Sequence, residues 1–228
     1  MTDEAMAPES VSAIRLIVVL GGIAMMSGLL VVMTVQLTAS RIAENKRRAI
    51  EQAVFQVIPG SMSHHDFIVG EKSIVARTET AGSGTMIYAG YDAKGNLAGI
   101  ATEAAAVGYQ DKIHLLYGYA HVCQCITGIR VLKMAETPGL GDKIAKDPVF
   151  LANFKALDAQ LNDVGDGLRN AIVTVKHGSK TQAWQIDAIS GATISSKAVG
   201  RMLNDSAQRL LPRLLPHIKS LKEPQHEQ

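Results

Sequence analysis

Residues 187–196 combine small residues, hydroxyls and a carboxylate where a predicted strand meets a predicted helix. The run reads Asp-Ala-Ile-Ser-Gly-Ala-Thr-Ile-Ser-Ser. Small residues let the backbone approach a ligand closely, and the unpaired N–H groups at a helix start favour an anion such as phosphate. The Thr193 hydroxyl would stand beside that anion. The alternative is a simple tight turn after Ser190, with one of the two later serines capping the helix.

A second segment, residues 136–144, reads Glu-Thr-Pro-Gly-Leu-Gly-Asp-Lys-Ile. Proline and glycine at these positions favour a fixed loop whose backbone can approach a ligand closely. Taken alone, the segment also fits an ordinary Pro-Gly turn. The chain contains no phosphate loop, dinucleotide glycine fingerprint or nucleophile elbow, so we expect neither NAD binding nor hydrolysis.

Together, and in this order, the two segments resemble the hallmarks of the FMN-binding domain family. Residues 190–193 are similar to its covalent flavin attachment motif, whose final threonine carries FMN through a phosphoester bond that a dedicated flavin transferase makes from FAD. The resemblance implies covalent FMN on Thr193. It also implies that residues 136–141 lie against the isoalloxazine ring. The residues that it assigns to the cofactor are Thr193, Ser190, Gly191, Ala192, Ser195, Glu136, Thr137, Gly139, Leu140 and Gly141.

Asp187 precedes the attachment motif. The resemblance implies that the transferase uses this carboxylate to position metal or substrate during flavinylation. A strand-end turn former is the alternative role.

Within the family, the chain is most similar to the G subunits of Rnf electron-transport complexes and second to the C subunits of sodium-translocating NADH:quinone reductases. The first resemblance implies an electron-transfer subunit of an ion-translocating ferredoxin:NAD oxidoreductase, a translocase, with no stand-alone catalytic activity. Its partners would be the other membrane and peripheral subunits, notably a second membrane subunit with covalent FMN. Two other classes remain open: a non-redox membrane-tethered binding or assembly module, and a free-standing extracytoplasmic reductase.

Composition excludes several other functions. The 228 residues carry a net charge of only +2, and basic residues are not interleaved with aromatics, so we expect no nucleic-acid binding. The two cysteines cannot supply the four thiolates of an ordinary iron–sulfur cluster or structural zinc site, so we expect no metal. On a strand, Cys123 and Cys125 would share a face, and a disulfide across one residue would be strained. We therefore expect free or partner-facing thiols.

An apolar segment near the N-terminus must hold this domain at a membrane. Residues 16–40 include no charged side chain, and the 22 residues of 16–37 would span about 33 Å as a helix, close to the hydrocarbon thickness of a bilayer. A cleaved signal peptide is the alternative, but its apolar region is shorter and follows a basic start. The sequence therefore predicts an uncleaved single-pass anchor.

Two signals disagree about which side of the membrane the domain occupies. Arg41, Lys46, Arg47 and Arg48 follow the span, and by the positive-inside rule they would keep the domain in the cytoplasm. The family resemblance implies flavinylation outside the cytoplasm, and Glu44 can pair with Arg48 at four-residue spacing. We expect a bacterial inner-membrane protein whose FMN domain faces the periplasm.

The remaining pattern indicates an α+β domain with an antiparallel sheet flanked by helices. Hairpins are predicted at 86–91 with 97–102, at 113–119 with 126–134, and at 171–175 with 183–189. A helix is predicted from Pro148 with an apolar face reaching Leu161, and the last helix should kink or end at Pro212 and Pro216. The expected divisions are a cytoplasmic N-terminus (1–15), a transmembrane helix (16–40), an amphipathic stalk helix (41–58), an FMN-binding domain (59–216) and a C-terminal tail (217–228).

Overall fold

The computed structural model describes residues 12–70, 73–77 and 84–222 and divides the chain into two units, residues 1–48 and 49–228. One helix, α1 (Ala13–Val57), begins in the first unit and ends in the second. The predicted 1–11 part of the N-terminus and the last six residues of the predicted tail lie outside the described residues.

In the first unit the structure describes residues 12–48, most of which form the apolar part of α1. Its large aliphatic side chains are exposed all round the helix, as a lipid environment requires. Within the described residues this is the one helix long and apolar enough to cross a membrane. After the apolar stretch, the Glu44 carboxylate accepts hydrogen bonds from Arg47 at 3.0 Å and from Arg48 at 2.8 Å, so the predicted Glu44–Arg48 pair is present.

The second unit is built on a sheet. Among the described residues, seven strands pair antiparallel in the order β2-β1-β3-β4-β5-β6-β7. Their bounds are β1 (Ser63–Val69), β2 (Ile74–Ala76), β3 (Thr85–Tyr91), β4 (Leu97–Val107), β5 (Lys112–Ala120), β6 (Cys125–Lys133) and β7 (Leu157–Asp158). The first two predicted hairpins correspond to β3–β4 and β5–β6.

A hydrophobic layer covers each face of the sheet. Leu115 and Tyr117 on β5 point into the larger core, which the helix α3 (Thr193–Leu214) covers with side chains such as Leu203. Leu116, on the opposite face, packs in a smaller cluster with the last turns of α1. Those turns contribute Ile50, Ala53, Val54 and Val57, the spacing of one helix face.

The end of α1 is fixed to the sheet. The Thr127 hydroxyl on β6 donates to the Val57 carbonyl at 2.6 Å, satisfying one of the free carbonyls of the last turn. A side chain at Gly118 on β5 would collide with that same carbonyl, so glycine is required there for the helix to approach. The helix ends before Pro59-Gly60, as the sequence predicts.

The helix predicted from Pro148 is much shorter than its apolar pattern. It is α2 (Pro148–Ala152), and Asp147 caps it by accepting from the Val149 N–H at 2.8 Å. The Asn153 amide ends it, because it donates to the Phe150 carbonyl at 3.0 Å and accepts from the Asp187 N–H at 3.0 Å. Leu157, predicted on the same helix face, belongs instead to β7.

The third predicted hairpin is wrong. β8 (Val173–Val175) and β9 (Gln185–Asp187) pair in parallel, so the chain between them turns back before it enters β9. The Gln185 side chain shapes that return by accepting from the Thr181 N–H at 2.8 Å. β8 also lies against α3, since a side chain at Gly200 would collide with the Thr174 hydroxyl.

The C-terminal part remains in the domain beyond the two prolines. α3 ends at Leu214, two residues after Pro212, and a 3-10 helix (Leu215–His217) leads into α4 (Ile218–Lys222). Leu221 lies past the predicted domain end at residue 216, yet it is buried in the larger core, and its carbonyl accepts from the Tyr91 hydroxyl at 2.8 Å.

Candidate functional site

The two segments singled out in the sequence meet around one cavity of about 470 Å³. It lies where the end of β6, the β4–β5 turn and the start of α3 come together. Two of the predicted cofactor-binding residues do not line it: Ser190 lines a neighbouring cavity, and Gly139 is absent from the lining. The lining residues are Tyr109, Glu136, Thr137, Leu140, Gly141, Gly191, Ala192, Thr193, Ile194 and Ser195.

Thr193 is the first residue of α3, and its side chain is exposed. The turn before it needs Gly191, whose φ of +82° lies in the left-handed region that glycine adopts readily. The free N–H groups and the positive dipole end of this 22-residue helix favour an anion beside Thr193.

Neither serine of the motif caps the helix, so that part of the simpler interpretation is wrong. Ser195 and Ser196 lie within the first turn of α3 and are 2% and 0% exposed. The Ser196 hydroxyl accepts from the Ile189 N–H at 3.1 Å and donates to the Ala192 carbonyl at 2.9 Å. It thereby closes the turn that presents Thr193.

Glu136 joins the three parts of the site. Its carboxylate is buried and accepts hydrogen bonds from the Ser195 hydroxyl, from the Tyr109 N–H at 3.0 Å and from the Gln110 N–H at 3.2 Å. Burial alone would raise the pKa of this carboxyl, but the hydrogen bonds that it accepts outweigh burial and lower the pKa below its ordinary value. Glu136 is therefore an ionised anchor for the site.

The loop after Glu136 is a tight turn. The Thr137 carbonyl accepts from the Leu140 and Gly141 N–H groups at 3.2 and 2.9 Å, and Gly139 has a φ of +77°. A side chain at Gly141 would lie 2.8 Å from the Glu136 side chain, so glycine is needed to bring the loop this close. The Leu140 side chain stays 46% exposed at the cavity.

Asp187 does not line this cavity. It borders a neighbouring cavity of about 240 Å³, together with Ser190 and Lys143. Its carboxylate accepts from the Ser179 N–H at 3.3 Å and lies 3.5 Å from His177 Nδ1. These contacts organise the β8–β9 connection and leave both interpretations of Asp187 open.

Sequence reasoning missed Tyr109. It follows Gly108 in the β4–β5 turn, far in sequence from both motifs, and it is 64% exposed. The available signal was topological: the start of β5 pairs with the end of β6, as in His114 opposite Lys133, so the β4–β5 turn must adjoin Glu136. Tyr109, as an aromatic residue in that turn, could therefore have been predicted to lie near the site.

The prediction of free thiols is wrong. Cys123 and Cys125 form a disulfide at the β5–β6 turn. They do not both lie on one regular strand: β6 begins at Cys125, and Gln124 between them has a φ of +51°. This turn conformation removes the strand geometry on which the expectation of strain was based.

Comparisons with known proteins identify the domain. The family model of the FMN-binding domain matches residues 108–208, from the β4–β5 turn through most of α3. The fold is similar to that of NqrC from Shewanella oneidensis, with a TM-score of 0.62, 18% identity and coverage of 78% of this chain and 99% of that one. The C subunit of a Na⁺-translocating NADH-quinone reductase from Parabacteroides distasonis is also similar, with a TM-score of 0.57 and 21% identity. That match covers 80% of this chain and 97% of that one. The predicted α+β FMN-binding fold is confirmed.

More similar relatives show to which group within the FMN-binding domain family the chain belongs. The G subunit of an ion-translocating oxidoreductase complex from Vibrio cholerae is 30% identical over 177 residues, 75% of this chain and 77% of that protein. Its counterpart from Methanosarcina acetivorans is 40% identical over 114 residues, but the match spans only 52% of that protein and 50% of this chain. The chain belongs to the family of G subunits of ion-translocating oxidoreductase complexes. This confirms the resemblance that the two motifs carry.

Proposed function

We propose that this chain is the FMN-carrying, membrane-anchored electron-transfer subunit of an ion-translocating oxidoreductase complex of the Rnf type. The observation that carries the proposal is that both motifs line one cavity, with Thr193 exposed at the start of α3. FMN bound there would supply the electron-transfer chemistry, and the residues of this chain would hold and orient it. A relative from Acetobacterium woodii, 36% identical over 101 residues, is named for Na⁺-translocating ferredoxin:NAD⁺ oxidoreduction, which supports this assignment.

The cofactor is attached to Thr193 through a phosphoester. The Thr193 hydroxyl oxygen forms a bond to the flavin-side phosphorus of FAD, the pyrophosphate P–O bond breaks, AMP leaves and the hydroxyl proton is released. The exposure of Thr193 supports this step, because an external transferase must reach the hydroxyl. A phosphate on Thr193, the first residue of α3, would be favoured by the positive end of this helix.

The other cavity residues bind and orient the cofactor. Thr137, Leu140 and Gly141 offer backbone groups and apolar surface to the ring, and Ile194 extends the apolar lining. Glu136 takes no part as a base, since its lowered pKa makes the carboxylate a weak base and its oxygens already accept hydrogen bonds. A relay of electrons needs no catalytic acid or base in this chain.

The proposed location is the bacterial inner membrane, spanned by residues 16–40, with the flavin domain in the periplasm. The disulfide supports this side, because disulfides persist in oxidising compartments. The opposing basic cluster is partly neutralised, since Glu44 pairs with both Arg47 and Arg48. The proposed partners are the other subunits of the complex, notably a second membrane subunit with covalent FMN, and the FMN transferase during maturation.

The test is intact mass spectrometry with in-gel flavin fluorescence after denaturation. Full-length protein, co-expressed with its transferase, should exceed its sequence mass by one FMN minus one water. Thr193→Ala should remove both mass and fluorescence and leave a folded, colourless protein. Thr85→Ala, which changes an exposed threonine on β3 that does not line the cavity, is the matched control and should keep both.

Covalent fluorescence on Thr193→Ala would refute the attachment site. A wild-type protein with neither bound flavin nor colour would refute the electron-transfer function and favour a non-redox binding or assembly module. The C subunit of a sodium-translocating NADH:quinone reductase is the second candidate, since the fold is shared with that group. The activity of the native complex that co-purifies with this chain separates the two candidates. Ferredoxin:NAD oxidoreductase activity indicates the Rnf type, and NADH:quinone reductase activity indicates the second candidate.

A further inference from the structure

We propose that Tyr109 is the aromatic wall against which the isoalloxazine ring packs, and that the Glu136 carboxylate is the positioning residue that holds it there. This inference rests on the proposed function and adds two residue roles to it.

Tyr109 is the one aromatic residue among those that line the cavity. Tyr109 is 64% exposed, and the aliphatic residues Leu140 and Ile194, which line the same cavity, are 46% and 52% exposed. None of the aromatic pairs found among the described residues includes the Tyr109 ring. An aromatic face left open beside a ligand cavity, with aliphatic side chains around it, suits a flat aromatic ligand.

The backbone of Tyr109 is fixed although its ring is exposed. Glu136 accepts from the Tyr109 N–H with both oxygens, at 3.0 and 3.2 Å, and from the Gln110 N–H at 3.2 Å. The turn also packs against that carboxylate: a side chain at Gly108 would collide with Glu136 Oε1 and approach Ile113 to 2.6 Å. The ring is therefore presented from a rigid turn.

The same carboxylate fixes the helix that carries the attachment point. The Ser195 hydroxyl donates to Glu136, and Ser195 lies two residues after Thr193. Glu136 thus sets the position of the aromatic wall and of the anchoring helix relative to each other. A flavin fixed at Thr193 would share this cavity with two elements, the Tyr109 turn and the start of α3, that are both hydrogen-bonded to Glu136.

Contact with a tyrosine has an optical signature. A phenol ring touching a photoexcited flavin gives it an electron, which returns to the phenol without light emission, so the flavin fluorescence of the folded protein is quenched. Phenylalanine retains the packing surface but is a much poorer electron donor. Leucine removes both the stacking and the quenching.

The experiment compares full-length, flavinylated wild type with Tyr109→Phe, Tyr109→Leu and the neighbouring control Gln110→Ala, which keeps its backbone N–H. Flavin content is normalised by intact mass. We expect emission from the folded protein to rise several-fold in both Tyr109 variants and to stay at the wild-type level in Gln110→Ala. Only Tyr109→Leu should also shift the visible absorption band and the midpoint potential. All four proteins should emit equally once unfolded.

Glu136→Ala and Glu136→Gln test the positioning role. Glutamine retains an oxygen for the backbone N–H groups, so Glu136→Gln should preserve most of the quenching of flavin fluorescence. Alanine has no such oxygen, so the flavin emission of folded Glu136→Ala should rise although its flavin content is unchanged. A merely structural role would lower stability in Glu136→Ala without changing the emission of the protein that remains folded.

Two results overturn the inference separately from the proposed function. Full flavin content with unchanged emission in Tyr109→Leu refutes the aromatic wall and leaves covalent FMN at Thr193 standing. Wild-type quenching in folded Glu136→Ala refutes the positioning role alone. Wild-type protein with no covalent flavin refutes the proposed function, and this inference with it.

Discussion

Replacing Glu136 by glutamine tests how much of the domain's stability depends on one ionised group. Glu136 is 6% exposed, and its carboxylate accepts hydrogen bonds from two backbone N–H groups and from the Ser195 hydroxyl. A hydrogen bond to a charged group contributes about 1.5–3 kcal/mol, against about 0.5–1.5 kcal/mol for a neutral one. The glutamine amide oxygen can still accept from the backbone N–H groups, but as an uncharged acceptor. We therefore expect each hydrogen bond to contribute about 1 kcal/mol less to the free energy of unfolding.

The cavity beside Glu136 is open to water, which can partly replace a lost partner, so we expect a net loss of about 2 kcal/mol rather than the full sum. For a domain of this size, that loss lowers Tm by roughly 4–8 °C. The single tryptophan, Trp184, lies in the β8–β9 connection and reports unfolding of the full-length protein in detergent. Asp163→Asn is the control, because it makes the same chemical change at a side chain that is 96% exposed.

The loss should depend on pH in a defined direction. The folded-state pKa of Glu136 lies below its ordinary value of about 4.3, so its stabilisation is present above that pH and is lost as pH falls through the folded value. The difference in unfolding free energy between wild type and Glu136→Gln should therefore be largest at neutral pH and shrink in acid. Other carboxyls with lowered pKa, such as Asp92, are present in both proteins and cancel. A difference that is constant across this range would refute the argument that the ionised form is what stabilises the site.

Three other predictions follow from the turns and from the membrane segment. Gly139→Val should lower stability by about 1–3 kcal/mol, because a branched residue must adopt a φ of +77°; a spectrum and midpoint potential unchanged by it would argue against contact between this loop and the flavin. Non-reducing mass spectrometry after alkylation should find neither Cys123 nor Cys125 modified, and labelling of both would contradict the disulfide. An alkaline phosphatase fusion after residue 60 should be active; an inactive fusion, with a fluorescent one that glows in the cytoplasm, would reverse the proposed topology.

Local pattern was sufficient where the elements are regular. The strands of the first two hairpins alternate or run apolar over many residues, and Pro59-Gly60 gives a clear end to α1. Residue types alone placed residues 187–196 at a strand-to-helix junction and residues 136–144 in a loop. Their meeting around one cavity depends on β5–β6 pairing, which the hairpin prediction already implied.

Pattern failed where side chains distant in sequence decide the backbone. Residues 148–161 have helical spacing, but the Asn153 amide bonds to Asp187 and stops the helix. The irregular chain before β8 is held by α3, whose Gln208 accepts from the Leu168 N–H at 2.8 Å and whose Asn204 accepts from the Ile172 N–H at 3.0 Å. No local propensity reports such contacts, because they form only when the helix is already packed.

Glu136 shows why recognising a motif is not the same as knowing its residues' roles. The sequence places it at the head of a loop expected to lie against the flavin, and on that ground assigns it to the cofactor. In the structure its oxygens face inward, to the Tyr109 N–H and the Ser195 hydroxyl, so its effect on a ligand passes through the residues it holds. Tyr109, Leu140, Thr193 and Ile194 are exposed side chains that a ligand in this cavity can reach. The buried Glu136 carboxylate thus holds the backbone around the cavity, and the exposed lining side chains are the ones available to a ligand.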